Sequence, residues 1–451
     1  MSFAWKSLRE EFGPMLRLAL PLVAAELGWM VMGIVDTMMV GRLPDSAASI
    51  GAVSLGTAVF FTTSILGGGL LLGLDTLVSQ AFGARRVDDC HHSLLNSLYL
   101  IVVMTPILMA LMLLGGPLLE DFGVDAAVLR LMLPYLRALA WSTLPLLGYF
   151  AFRRYLQAMN VVAPVAFALI SANLVNVVGN YALIFGHWGL PAMGVEGAGW
   201  ATCVSRLYMA GVLGVAIVWH DRRYGTGLWL AARKPDLQRI RELVALGLPA
   251  AGQMVIEFGV FGAATALIGK LGALPLAAHQ IALNTASLAF MVPLGISSAA
   301  AVRVGQALGR HDPPAAARAG WTALALGGAF MTCSAAAMLT VPEWIARIYT
   351  PDPTVITAAA GLLLVAAFFQ LFDALQVISI GALRGAADTH TAMITHLIVD
   401  WLIGLPIGYY LAFHAGFGAA GLWIGLSLAM ILAGSVLLLV WNRKMHAVRP
   451  A

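Results

Sequence analysis

Six carboxylates stand in apolar surroundings in this chain: Glu26, Asp36, Asp75, Glu257, Asp373 and Asp400. Glu257 lies near the middle of LVALGLPAAGQMVIEFGVFGAATALIGKLGA. A carboxylate at bilayer depth costs several kcal/mol unless it is paired, protonated or bound to a cation. Gln253 precedes it by four residues, so the two share one helix face. A second stretch offers Gln370 and Asp373 at a spacing of three, with Gln376 at the edge of the same arc. A third offers Gln280, Asn284 and Ser287. Converging on one polar cavity, these faces would set hard oxygen ligands around Glu257 and Asp373, a set suited to Na⁺. The same two carboxylates could instead carry H⁺. The competing reading is two protonated acids hydrogen-bonded between helices.

Asp36, in GIVDTMMVGRL, sits toward one end of the first apolar segment. It is either a second protonation site or a surface-directed carboxylate balanced by Arg42. Glu26 points to a face rotated from Asp36 by about 80°, and its role stays open. Asn173, Asn176 and Asn180 form a stripe in LISANLVNVVGNYAL that either lines a cavity or bonds neighbouring helices. His396 and Asp400, four apart, are placed to pair with each other. Asp75 is expected to reach water at a segment end, and His279 to be a hydrogen-bonded structural residue. The run DDCHH at 88–92 has metal-ligand composition, but adjacent residues diverge and no partner cluster exists elsewhere.

These side chains need membrane helices to hold them. The chain of 451 residues is 60% hydrophobic and only 11% charged, with a mean hydropathy of +0.87. Soluble domains are about a quarter charged. Apolar segments lie near 15–40, 51–79, 93–117, 129–152, 161–186 and 194–219, then near 243–270, 277–303, 315–341, 355–382, 391–413 and 416–441. Each is long enough for about 30 Å of hydrocarbon. None shows the alternation of a barrel strand, so the expected fold is all-α and polytopic, with twelve transmembrane helices. The first segment is too long for the apolar core of a cleavable signal.

Twenty lysines and arginines fall on one side of this topology and four on the other, with Arg137 and Arg206 inside segments. The positive-inside rule then makes both termini cytoplasmic. The two halves also repeat. LALP at 18–21 returns as LGLP at 246–249, VSQAFGARR at 78–86 as VGQALGRHD at 304–312, and GVEGAGW at 194–200 as GFGAAGL at 416–422. Six segments per half make the repeat parallel, about an axis along the membrane normal. The expected organisation is a bundle at 1–219, a basic cytoplasmic linker at 220–242 and a second bundle at 243–451. Two such bundles facing across a cleft are a transporter layout.

The basic residues follow topology, so the net charge of +4 does not point to nucleic acid. The three cysteines are scattered and frame neither disulfides nor a metal site. No phosphate-binding loop is present, no cofactor is expected, and no convergent nucleophile set suggests an enzyme. The expected partners are the lipid bilayer and small amphipathic compounds, handled by a monomer. An exporter of lipid-linked saccharides would share the layout, but it would need several cations for pyrophosphate, and only Arg137 and Arg206 lie within segments.

In order and spacing, MGIVDTMMVGRL, VSQAFGARR, GQMVIEFGVF, AAHQIALNTASLAFMVPLGISSAAAVRVGQALGR and QLFDALQVISIGALRGAADT resemble the multidrug and toxic compound extrusion (MATE) family, in its NorM-type branch, over essentially the whole chain. The resemblance implies an inner-membrane antiporter that exports bulky, often cationic amphipathic drugs in exchange for Na⁺ or H⁺. It implies that Glu257 and Asp373 are cation-coupling carboxylates and that Asp36 is the aspartate used for protonation. Two positions depart from the family pattern: Ala387 stands where a glycine is usual, and Phe369 where related sites often offer a tyrosine hydroxyl.

Overall fold

The computed structural model describes residues 2–120, 125–230 and 234–447, without the side chains of 2–9, 117 and 118. Arg233 and Arg449, counted above among the basic residues of one side, lie outside it. Among the described residues there is no strand. The first half comprises α1 (Ser2–Val40), α2 (Ser46–Leu70), α3 (Gly73–Gly83), α4 (Val87–Leu118), α5 (Ala126–Trp141), α6 (Thr143–Ala158), α7 (Ala163–Phe185) and α8 (Gly194–Tyr224). The second comprises α9 (Leu237–Gly269), α10 (Ala273–Gly309), α11 (Pro313–Thr340), α12 (Pro342–Arg347), α13 (Pro353–Gly385) and α14 (His390–His396). A π-helical segment (Leu397–Gly404) joins α14 to α15 (Leu405–Phe413), and α16 (Gly418–Ala447) follows.

Eleven described helices are long and apolar enough to cross a membrane. The twelfth expected crossing, 129–152, is split into α5 and α6 at Ser142. Pro145 explains the break: it has no N–H for the carbonyl of Trp141, and its ring crowds that carbonyl. The amide of Ser142 bonds the Leu139 carbonyl at 2.9 Å, a tighter turn than an α-helix makes. Helix starts are set by local chemistry. Asp312 and Asp352 each precede a proline and accept the amides of Ala315 and Thr354 at 3.0 and 2.8 Å. The expected linker 220–242 is partly helical, because α8 runs on to Tyr224 and α9 begins at Leu237. Gly225, at φ +62°, ends α8, while Asp221 accepts Thr226 Oγ1 and the Leu228 amide.

Packing divides the chain into two compact units, Ala24–Ala251 and Met1–Val23 with Gly252–Ala451. The boundaries of these compact units fall inside α1 and α9. Within the first unit, α2 and α9 meet backbone to backbone, since a Cβ on Gly247 would lie 1.9 Å from the Leu70 carbonyl oxygen. Within the second, Gly425 of α16 also lets α15 approach closely: a Cβ there would lie 2.4 Å from the Gly408 Cα. Small residues at close crossings suit helices that gain little from hydrophobic exclusion in lipid. The outward faces carry exposed Val102, Ile107, Leu174, Val215, Leu402 and Leu439, the surface that lipid solvates.

Candidate functional site

The first unit builds a polar pocket around Asp36, which is buried on α1. Asn180 of α7 donates its side-chain amide to Asp36 Oδ1 at 2.6 Å and also to Asn176 Oδ1 at 3.1 Å. Thr202 of α8 donates its hydroxyl to Asp36 Oδ2 at 3.2 Å. Asn176 and Asn180 are fully buried, so two members of the asparagine stripe serve Asp36. Asn173 does not: it donates to the carbonyls of Gly28 and Leu169 at 3.1 and 2.9 Å. Asp36 is therefore an interior group with amide and hydroxyl donors, not a surface carboxylate balanced by Arg42.

Two other carboxylates of this unit are explained by arginines. Glu26 pairs with Arg153, whose side chain is buried, and Asp75 pairs with Arg154 at 3.1 Å. The expectation that Asp75 reaches water is wrong. Asp75 is fully buried because α3 sets it against α6, where Arg154 neutralises it. A buried carboxylate without such a partner would be strongly destabilising. The DDCHH run is structural as well: His91 bonds the Thr226 carbonyl at 2.9 Å and the Tyr155 hydroxyl at 2.7 Å, while Asp89 faces Arg86 and Arg239.

The second unit holds Glu257. Gln253 donates to Glu257 Oε2 at 2.5 Å, as their shared face requires, and Gln376 of α13 donates to Oε1 at 3.1 Å. Asp373, buried on α13, lies in the electrostatic field of Glu257 and His396. His396 Nδ1 meets Asp400 Oδ2 at 2.8 Å, with both residues fully buried, so the expected pair forms. Trp401, next to Asp400, donates its indole N–H to the Ile256 carbonyl at 3.0 Å. That bond fixes the π-helical segment against α9 one residue from Glu257.

One expected cavity-lining residue, Gln370, turns away from Glu257. Gln370 is fully buried against α11 and donates to Ser334 Oγ at 3.0 Å and to Met338 Sδ at 3.3 Å. Gln280 and Asn284 are exposed on α10. The two nitrogens of His279 face Thr265 and Trp423 at 2.8 and 3.1 Å, which is the structural role expected of it. Phe369 is buried and stacks on Trp423 at 6.0 Å between centroids. Sequence reasoning missed Thr202 and gave Arg206 no place at a site. The signal for both was present, because Thr202 and Arg206 are polar, four residues apart and inside an apolar helix.

Comparison with known proteins agrees with this architecture. The MatE family model matches residues 21–182 and again 249–410, the same register that relates LALP to LGLP. The probable multidrug resistance protein NorM of Mesorhizobium japonicum is 37% identical over 98% of this chain and 96% of its own length. The multidrug resistance protein NorM of Burkholderia vietnamiensis is 38% identical over 94% and 92%. Among solved structures, the eukaryotic MATE transporter AtDTX14 superposes with a TM-score of 0.88 at 22% identity, over 98% of this chain and 99% of that one. An outward-facing multidrug resistance MATE transporter of the MOP superfamily gives 0.82 at 17%, over 98% and 97%. With two family matches and full-length relatives, the chain belongs to the MatE family of membrane transporters, on its NorM-type branch.

Proposed function

We propose that this transporter exports amphipathic, often cationic drugs from the cell across the inner membrane, with both termini cytoplasmic, by antiport against Na⁺ or H⁺. Multidrug efflux follows from the full-length kinship with proteins named for multidrug resistance. Antiport rests on one observation: Glu257 sits in an apolar helix with amide donors from Gln253 and Gln376 and with Asp373 close enough to repel it. Two carboxylates in that setting favour uptake of a compensating cation. Asp36, in its own pocket, is a second group whose charge a proton or a cationic drug can neutralise. Alternating access then needs only that cation and drug favour different states.

Chemistry supports the pair as the coupling group without a resident cofactor. Glu257 and Asp373 supply carboxylate oxygens that suit either Na⁺ or H⁺. The test is drug susceptibility in an efflux-deficient bacterial host expressing wild type, Glu257→Gln or Asp373→Asn at matched membrane levels. Each neutral variant is expected to lower export about tenfold or more, the effect of losing 1.4 kcal/mol of coupling. Full resistance in both variants would remove the pair from the mechanism. Proteoliposomes energised separately by Na⁺ and H⁺ gradients then identify the ion.

A further inference from the structure

Arg206 is buried inside α8, yet among the described residues no carboxylate lies within ion-pair distance of it. Arginine is almost never buried without a partner, because its desolvation goes uncompensated. Its guanidinium is held instead by neutral groups. Nη1 donates to Ser142 Oγ at 2.5 Å, and the guanidinium carbon lies 4.2 Å from the centroid of the Phe60 ring. Ser142 is the residue at which α5 and α6 part, and its hydroxyl also donates to the Leu139 carbonyl at 2.6 Å. Among the described residues, Nε has no hydrogen-bond partner. A hydroxyl and an aromatic face give a guanidinium only part of what a carboxylate would.

A carboxylate is nearby. Thr202, one turn before Arg206 on the same face of α8, donates to Asp36. Arg206 is also in the electrostatic field of Asp36 and of Tyr135, whose hydroxyl meets Thr57 Oγ1 at 2.9 Å. The buried anion and buried cation of this unit thus lie in each other's field, each bound to neutral groups. Several rotatable bonds separate the guanidinium from the α8 backbone, so Ser142 need not be its one partner.

We propose that Arg206 is a resident counter-cation for Asp36, a positioning residue that turns from Ser142 and Phe60 onto the carboxylate when the transported cation leaves. The arginine then competes with a cationic drug for one carboxylate. It weakens drug binding, and it neutralises the emptied pocket for the return step. Phe60 and Ser142 are the parking site that keeps the guanidinium off Asp36 while the drug is bound. This deepens the export reading above, although its binding arm does not depend on antiport.

The experiment uses the purified full-length transporter with ethidium as the cationic probe. Equilibrium binding is measured in detergent and ethidium transport in proteoliposomes, for wild type, Arg206→Gln and Arg206→Lys. Arg206→Gln keeps a donor for Ser142 but not the charge. It is expected to bind ethidium about fivefold to tenfold tighter, the scale of one competing charge interaction, while turnover falls by a similar factor. Arg206→Lys is expected to restore both toward wild type. Damage to packing would weaken binding and transport together, and lysine would not restore them. Equal or weaker binding by a folded Arg206→Gln, or a lysine variant that behaves like glutamine, overturns the proposal. If Arg206→Gln does not fold, Ser142→Ala, which loosens the parking site, is expected to weaken ethidium binding; unchanged binding there overturns it. Tighter binding by Arg206→Gln with no ion-driven transport by wild type would sink antiport and leave the counter-cation standing.

Discussion

The fifth spans of the two halves start from the same turn and then diverge. Before α7, Asn160 takes φ +63°; before α14, at the matching place in the repeat, Ala387 takes φ +60°. Both turns close with the same pair of backbone bonds. Asn160 and Val161 donate to Gln157 and Leu156, and Ala387 and Asp388 donate to Arg384 and Leu383. From there α7 runs as a regular helix and offers Asn176 and Asn180 to Asp36. The span from His390 to Phe413 instead opens into a π-helical segment. Its ionisable pair bonds internally, and it reaches the Glu257 helix through an indole and a backbone carbonyl. One unit therefore supports its carboxylate by direct amide donation from the fifth span. The other draws amide donors from α9 and α13, and the fifth span fixes the helix that carries the carboxylate.

The largest expected contrast comes from shortening each span by one residue. Deleting Leu402 removes the extra residue of the π-helical segment, and Pro406, near the start of α15, lacks the N–H that an α-turn would use there. The protein is expected to fold while export falls at least about tenfold, because Trp401 loses its register with Ile256. Deleting Leu174 turns the rest of a regular helix by about 100°, taking Asn176 and Asn180 away from Asp36. No monodisperse protein is expected from that deletion by size-exclusion chromatography. Equal tolerance of the two deletions would break the contrast between the spans.

How much of this was legible in the sequence depends on what fixes each feature. Periodicity and charge bias suffice for the helices, their repeat and the i, i+4 pairs, so Gln253–Glu257 and His396–Asp400 could be read directly. The helix that a given face meets is settled by tertiary packing. Gln370 and Gln376 share one arc of α13, but Gln376 reaches Glu257 while Gln370 turns to α11. The π-helical segment was not legible, since one extra residue in an apolar run leaves no mark on hydropathy. The break at Ser142 had a local signal in Pro145, hidden because the surrounding residues are apolar enough to pass for one continuous span.

Smaller effects separate the two pockets further. Asn180→Ala removes a direct donor from Asp36 and is expected to lower ethidium export severalfold at a stability cost of about 1 kcal/mol. His396→Ala leaves both amide donors on Glu257 but strands Asp400, a buried carboxylate. It is expected to lower the melting temperature in detergent more than Asn180→Ala does, because an uncompensated charge costs more than a lost neutral bond. A larger thermal loss for Asn180→Ala would show that the amide pocket is the more structural of the two.

The matching turns can be tested next. Asparagine tolerates a left-handed backbone, and alanine at the same angles carries a penalty of about 1 kcal/mol. Ala387 therefore strains the turn into α14, where Asn160 does not strain the turn into α7. Ala387→Gly is expected to raise stability by up to about 1 kcal/mol, less the entropy glycine adds to the unfolded chain. Asn160→Ala is expected to lower it by a similar amount. Thermal unfolding of both variants in one detergent gives the comparison, and equal signs would contradict it.

The smallest expected difference is electrostatic. Asp388 follows Ala387 in the second turn, where the first has the uncharged Val161. Its carboxylate accepts the Thr391 amide at 3.2 Å and Lys444 Nζ at 3.0 Å. Burial works against the charge, but the bonds from Thr391 and Lys444 outweigh it and hold Asp388 below the ordinary carboxylate range. A depressed folded-state value stabilises the fold above the unfolded value, and that contribution is lost as pH falls through and below about 4. The pair is partly exposed, so its worth is about 0.5 kcal/mol. Asp388→Asn is expected to be less stable by that amount at neutral pH and to lose less on acidification than wild type. An identical acid profile for the two proteins would mean that Lys444 contributes nothing to the turn, and the turns before α7 and α14 would then differ only in the strain at Ala387.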